Sequence, residues 1–285
     1  YIASGFGRGE AIESIFANNL LGIDIDERAR QLATFALMLK ACQRDDSFAD
    51  ARALPQVLSM PEVNEAQAEE FFRLSDITGE SLKELRVAFD LMQDADSLGS
   101  IMKFDISGST RVLLQQTLSH WMNQSDKPEA VVAAIPAVRL ILALTDSYDA
   151  IVMNPPYMGG GKMDSALSQY VKENYKAGSA DLATVFVEMM PQRLFKGGQY
   201  AFIIPPSWMF LSGFETLRRQ IIDNYSIQSL LHLSRGVFGA DFGSSCAVIK
   251  SSKNEDFKGT YFRLVERTFQ EFDQKHLKEL FERVL

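Results

Sequence analysis

Asn154, Pro155, Pro156 and Tyr157 are the residues of this 285-residue chain whose types and spacing best support chemistry. They follow directly on Asp149-Ala150-Ile151-Val152-Met153, whose apolar part reads as a short buried strand. An exocyclic or amide nitrogen is a poor nucleophile, because its lone pair is delocalised into a ring or a carbonyl. Two oxygen acceptors that hold its two hydrogens draw the nitrogen toward tetrahedral geometry and make the lone pair available. Asn154 offers a side-chain carbonyl oxygen and Pro155 a backbone one, and the adjacent prolines stiffen the bend that aims both. Tyr157 offers a ring face on which a planar substrate stacks. The chemistry that suits this bend is capture of a methyl group by the nitrogen. The proton leaves afterwards, from a nitrogen already cationic, so no strong base is required.

These residues need elements to position them. From Tyr148 onward the pattern alternates strand and helix. The strands are Ala150–Met153, Tyr200–Ile204, Ile227–Leu233 and Ala247–Lys250. The helices are 181–196, ended by Gly197-Gly198, and 214–224, which carries Arg218 and Arg219. Alternation of this kind predicts a mostly parallel sheet covered by helices, with the ligand site beyond the carboxyl ends of the strands. Asn154 falls there. So does Asp24, just past the apolar run Leu20-Leu21-Gly22-Ile23. Asp26 is placed to cap the helix that runs from Glu27 to about Ala41. The face of that helix carrying Ala29, Leu32, Ala33, Ala36 and Leu39 or Lys40 is expected to pack on the sheet. A shorter helical pattern covers 11–16.

Residues 43–100 differ in character, with thirteen acidic residues against five basic ones. They read as an acidic helical insertion with solvated helices at 65–73 and 80–91, a strand at 56–60 and another at 101–104. Further helices are expected at 112–122 and 131–144, the latter with Pro136 tolerated only near a start or a kink. The organisation expected is thus 1–42 and 148–285 as two parts of one core, with 43–147 as a mainly helical insertion.

Composition narrows the classes. Apolar residues make up 46% and charged residues 23%, as in ordinary globular proteins. The net charge of −8 argues against a broad cationic surface for nucleic acid. No apolar run is long enough to span a membrane, and the first residues lack the pattern of a signal peptide, so a cytoplasmic location is the default. Cys42, Cys246, His120, His232 and His276 are scattered, without metal-site spacing. Two glycine clusters imitate phosphate-binding loops. Gly5-Phe6-Gly7-Arg8-Gly9 has only four residues before it, too few for the strand such a fingerprint requires. Gly159-Gly160-Gly161-Lys162 is followed by Met163 where a phosphate loop needs Ser or Thr, and reads better as a flexible loop beside a site.

Asn154-Pro155-Pro156-Tyr157 after its strand resembles the catalytic motif of amino-methyltransferases that use S-adenosylmethionine. Asn19–Asp26, the pattern Arg28-Ala29-x-Gln31-Leu32-Ala33-x-Phe35-Ala36-Leu37-Met38, Ser179-Ala180-Asp181-Leu182 and Ser207–Ser212 extend the likeness. Together they resemble adenine-specific DNA methyltransferases of the BREX and phage-growth-limitation kind, relatives of type IIG restriction–modification enzymes. The likeness is weakest over 43–147. It implies a Rossmann-like class I methyltransferase fold, mostly parallel with an antiparallel last strand. It also implies a function in restriction–modification or phage defence, namely methylation of adenine N6 in double-stranded DNA with S-adenosylmethionine as cofactor.

The resemblance also assigns roles. Asp24 accepts hydrogen bonds from the ribose hydroxyls of the cofactor, as the acid of dinucleotide folds does. Ile25 packs on the cofactor's adenine. Asn154, Pro155, Pro156 and Tyr157 hold the target adenine, flipped out of the duplex because its N6 is otherwise paired. Asn154 and Phe186, or Leu182, line the cofactor side. Asp94, Asp96 and Asp105 are alternatives for the contact to the cofactor's amino group. Ser251 falls where relatives carry a late aromatic against the target base, so Phe238 or Phe242 is expected to substitute.

The glycine-rich cofactor loop of the family has no counterpart here, and the chain opens without Met. The expectation is most of a catalytic domain, truncated at both ends and inactive alone, with the DNA-reading surface and other defence subunits elsewhere. Competing readings are a protein-glutamine or RNA amino-methyltransferase, a non-catalytic defence scaffold and, least supported, a nicotinamide oxidoreductase.

Overall fold

The computed structural model describes residues 1–46, 48, 53–237, 243–266 and 273–283. Phe238 and Phe242 lie outside them. The chain divides into two compact units, Tyr1–Thr145 and Asp146–Leu285.

In the first unit, helix α1 (Arg8–Asn18) leads into strand β1 (Leu21–Ile23), helix α2 (Glu27–Cys42) and strand β2 (Gln56–Leu58). The two strands pair in parallel, Leu21 with Gln56 and Ile23 with Leu58. α2 starts where its cap predicts: Asp26 Oδ1 accepts the Arg28 amide at 2.7 Å. Its packed residues differ from the expected face. Leu37, Met38 and Ala41 meet Phe16, Phe48, Ile12 and Ile15, whereas Leu32 is 68% exposed and Phe35 and Leu39 are exposed too. The apolar side that meets α1 sets the burial here, because the two short strands offer little sheet surface.

The helices that follow are α3 (Glu65–Leu74), α4 (Gly79–Leu91), α5 (Ala95–Leu98), α6 (Gly108–Met122) and α7 (Glu129–Leu144). α3 and α4 are less solvated than their charge suggests. Phe71, Phe72, Leu85 and Phe89 are buried, and the Phe72 and Phe89 rings meet edge-on at 5.1 Å. The expected strand at 101–104 does not form. Ile101 ends a 3-10 turn, and Ile101 and Met102 are fully buried in irregular backbone. Their apolarity serves burial among helices rather than pairing. Pro136 lies in the middle of α7, not near its start. It sits on the exposed side, as does Val132, whose carbonyl loses its helical donor.

The second unit is a five-stranded sheet in the order β3-β4-β6-β5-β7. Its strands are β3 (Tyr148–Met153), β4 (Leu194–Ile204), β5 (Ser226–Leu233), β6 (Ser244–Lys250) and β7 (Thr260–Leu264). β3 and β4 are parallel, β5 and β7 are parallel, and β6 runs antiparallel to both its neighbours. The antiparallel strand is therefore the penultimate one, and β7 adds a parallel edge that the sequence pattern did not reveal. The helices are α8 (Ser165–Asn174), α9 (Leu182–Met189), α10 (Glu215–Asn224) and α11 (Gln274–Glu282).

α9 is shorter than its apolar pattern predicts. Its last residues tighten into a 3-10 turn at Pro191, and β4 begins at Leu194. Gly197 and Gly198 thus lie inside a strand. Gly197 has a φ of 85° at the place where the β3–β4 register slips, and a Cβ on Gly198 would stand 3.0 Å from the Asp149 carbonyl. Glycine is needed there for close strand approach rather than to end a helix. β3 is also not the buried strand expected. It pairs only with β4 among the described residues, and Val152 is 80% exposed.

Candidate active site

The site residues of the second unit stand at the carboxyl end of β3 and β4. Met153 pairs with Phe202 as the last register position of these strands. Asn154 follows and is exposed, Pro155 is buried and Pro156 is exposed, so the bend is anchored by its first proline. Tyr157 turns back toward the sheet. Its hydroxyl lies 2.7 Å from Asn154 Oδ1 and 3.0 Å from the Ile203 carbonyl oxygen, one residue past the last β3–β4 register position. Tyr157 as a whole keeps 38% exposure. Partial burial, with a smaller contribution from Cys246, raises the phenol pKa above its usual value, so the group is a neutral donor.

The segment after the bend is tied down. Gly160 donates to Ala180 O at 2.9 Å, Leu182 donates to Met158 O at 2.8 Å, and Gly159 bridges Asp181. Gly159 and Gly160 are therefore tied by hydrogen bonds to the 180–182 segment. That segment is itself rigid. Asp181 caps α9 through the Ala183 amide, and Thr184 Oγ1 lies within hydrogen-bond reach of the carbonyls of Gly178 and Asp181. Gly178 lies so close to Thr184 that a Cβ would stand 2.4 Å from the Thr184 carbonyl oxygen. On α9, Leu182 is core, whereas Phe186, one turn later, stays half-buried.

The loop after β4 is held by three side chains. The Trp208 indole donates to Ser245 Oγ at 2.9 Å, and that hydroxyl donates to Ile204 O at 3.0 Å. Arg218 Nη1 donates to the carbonyls of Trp208 and Leu211 at 2.7 and 2.6 Å. The sequence pattern noted Arg218 and Ser207–Ser212 but not this clamp, which joins residues from three elements.

In the first unit, Asp24 continues the β1–β2 ladder, its amide donating to Leu58 O at 3.0 Å. Its Oδ1 accepts the Asp26 amide at 2.9 Å, which fixes the carboxylate at the strand end. Ile25 is 51% exposed. Its side chain lies against Gly99, where a Cβ would stand 3.4 Å from Ile25 Cδ1. That contact brings the turn after α5 beside Ile25 and was missed in the sequence, whose one local hint is the Gly-Ser pair at 99–100. Asp94, Asp96 and Asp105 are all exposed. Asp96 also lines a cavity of about 430 Å³ with Pro61, Glu62, Asn64 and Gln67.

Glu27, at the first turn of α2, is held by Arg30 first, then by Ser59 and Gln31, and its carboxyl pKa is lowered to about 2. Asp26 is lowered as well, chiefly by Arg28, in keeping with a capping role. Ser251 lies at the opposite sheet edge from the bend. It bonds Gly198 and Phe195 near the amino end of β4, so it does not stand where a target base would be contacted. Among the described residues no cluster of His, Cys, Asp and Glu suits a metal ion, and no helix is long and apolar enough to cross a membrane.

Residues 18–238 match the family described as Eco57I restriction-modification methylase. The chain is 30% identical over 289 residues to the adenine-specific methyltransferase PglX of Lacticaseibacillus casei (strain Zhang), covering 98% of this chain and 24% of that protein. It is 28% identical over 295 residues to the adenine-specific methyltransferase BrxX of Escherichia coli O9:H4 (strain HS), covering 93% and 24%. It thus spans about a quarter of the length of these relatives.

Among solved structures, a DrdV–DNA complex aligns with a TM-score of 0.56 at 12% identity, over 98% of this chain and 24% of that one. The DNA-bound Type ISP restriction-modification enzyme LlaBIII aligns at 0.54 and 11%, over 98% and 17%. These likenesses show the fold alone, an α/β arrangement of the kind expected from the sequence. A family match spanning the strand-end Asp24, the Asn154–Tyr157 bend and both clamped loops leads to one conclusion: the chain belongs to the Eco57I restriction-modification methylase family.

Proposed function

We propose that this chain carries the catalytic machinery for methylation of adenine N6 in DNA, with S-adenosylmethionine as methyl donor, in a restriction–modification or phage-defence system. The observation that supports it most is the exposed Asn154 amide at the end of β3, its oxygen bonded by Tyr157, in a chain that is 30% identical to a protein named as an adenine-specific methyltransferase.

In this reading Asn154 Oδ1 and the Pro155 carbonyl take the two amino hydrogens of the target adenine. So held, the nitrogen would be drawn toward pyramidal geometry with its lone pair free to accept a methyl group as the donor's sulfur–methyl bond breaks, and the nitrogen's extra proton would pass to solvent. Tyr157 stacks on the base, which must leave the duplex to reach the bend. S-adenosylmethionine supplies an electrophilic methyl group on a sulfonium. Asp24 would hold its ribose hydroxyls: one carboxylate oxygen is engaged by the Asp26 amide and the other is open to a ligand. The exposed Ile25 side chain would cover its adenine, and Phe186, half-buried on α9, is the second unit's candidate for cofactor contact. A fixed carboxylate followed by an exposed apolar side chain fits a polar ribose next to a flat base.

We take 43–147 as a helical insertion in a core formed by 1–42 and 148–285, the site of action as the cytoplasm, and double-stranded DNA as the partner. Other defence subunits would join it there. The test is long-read detection of N6-methyladenine in a host carrying the natural full-length gene, compared with the Asn154→Ala gene. Methylated sites are expected with the first and none with the second. Equal methylation in both would refute the reading.

A further inference from the structure

Two oxygen acceptors lie within reach of the one proton of the Tyr157 hydroxyl among the described residues. Asn154 Oδ1 lies at 2.7 Å and the Ile203 carbonyl at 3.0 Å, and neither oxygen can donate in return. The hydroxyl can therefore serve only one of them fully at a time. The two acceptors differ in what else awaits them. Ile203 O belongs to the rigid sheet, one residue beyond the β3–β4 ladder. Asn154 Oδ1 is the oxygen that the reading above offers to the substrate amine.

We propose that the Tyr157 hydroxyl is a two-position donor that orients the Asn154 amide, and that it hands the Asn154 oxygen over to the substrate. This rests on the function proposed above. In the free site the phenol proton holds Oδ1, and so fixes which end of the amide faces outward. When an amino N–H arrives at Oδ1, the O–H bond rotates toward Ile203 O. No covalent bond forms or breaks. Oδ1 then keeps its full acceptor strength for the amine at the stage when that nitrogen gains positive charge. The phenol stays bonded in both positions, so its proton has an acceptor throughout the exchange. The role is distinct from stacking, which belongs to the ring.

The experiment uses Tyr157→Phe in the natural full-length protein, which keeps the ring and removes the hydroxyl. Three quantities are measured: the single-turnover rate of methyl transfer from the preformed complex, the dissociation constant for DNA, and the fluorescence of 2-aminopurine at the target position as a report of flipping. Without the hydroxyl nothing fixes which end of the Asn154 amide faces outward, so a share of the preformed complexes presents the amide nitrogen to the base and must reorient; a fall in rate of about five- to tenfold is expected, with DNA affinity and fluorescence within twofold. A rate within twofold of the wild type overturns the proposal. So does a parallel loss of binding, flipping and rate, which would make the hydroxyl a structural strut only. Asn154→Ala, run alongside, separates the two readings: if it methylates normally, the function proposed above fails, whereas a dead Asn154→Ala beside an unimpaired Tyr157→Phe removes the handover alone.

Discussion

The indole of Trp208 and the hydroxyl of Ser245, 37 positions apart in the chain, are joined by a 2.9 Å hydrogen bond inside the second unit. Ser245 is fully buried on β6 and passes the link on to Ile204 O at the end of β4. The loop that follows β4 is thereby held to the antiparallel strand of the sheet, at the edge that also carries Asn154 and Tyr157. Replacing Ser245 with Ala leaves a buried indole N–H without its acceptor. A loss of about 1–3 kcal/mol is expected, read by urea denaturation. A change below about 0.5 kcal/mol would show that the loop is held without this link.

Gly178 offers a second test of rigidity near the bend. A Cβ there would stand 2.4 Å from the Thr184 carbonyl oxygen, which is backbone and cannot swing aside. Gly178→Ala is expected to destabilise by about 1–3 kcal/mol through forced displacement. Because the neighbouring segment holds 158–160, methyl transfer should slow as well. An unchanged melting temperature would show that the turn relaxes freely.

For cofactor binding, Asp24→Ala is expected to weaken affinity for S-adenosylmethionine by about 1.5–3 kcal/mol, the scale of hydrogen bonds to a charged group. Titration calorimetry on the full-length protein measures it directly. Asn154→Ala, by contrast, should leave that affinity within twofold while abolishing turnover. Unaltered affinity in the Asp24 variant would remove that residue from the site.

Glu27 predicts a pH dependence. Its carboxyl is lowered to about 2 by Arg30, Ser59 and Gln31 in the folded chain, against an ordinary value of 4.5. A lowered acid stabilises the folded state at pH above its unfolded value, and that contribution is lost as pH falls toward the folded one. The stability difference between wild type and Glu27→Gln should therefore be constant above about pH 5 and shrink between pH 4.5 and 2. The pair is exposed, so the difference is expected to be small. A difference that grows on acidification would contradict the assignment.

Much of this protein is legible locally. A Pro-Pro bend after a β-branched run stops a strand wherever it occurs, because proline lacks the ladder donor. An Asp before Glu-Arg-Ala-Arg caps a helix because its side chain reaches the orphan amides of the first turn, and Asp26 does so. The strand-end positions of Asp24 and Asn154 follow from the same short-range rules. Other outcomes depended on which neighbours arrived from far along the chain. Leu32 and Ile101 are both apolar, yet one is exposed on α2 and the other buried between helices. Val152 belongs to an apolar strand, yet has only β4 beside it among the described residues. Tyr157 was legible as an aromatic ring, but its hydroxyl meets Ile203, 46 residues away, only because β3 and β4 pair in one register. Hydrogen-bonding capacity and periodicity are properties of a residue and its near neighbours, whereas burial and partner choice are properties of the packed whole. The chemistry of the bend was therefore readable from its residue types, and the group that steers Asn154 became visible only in three dimensions.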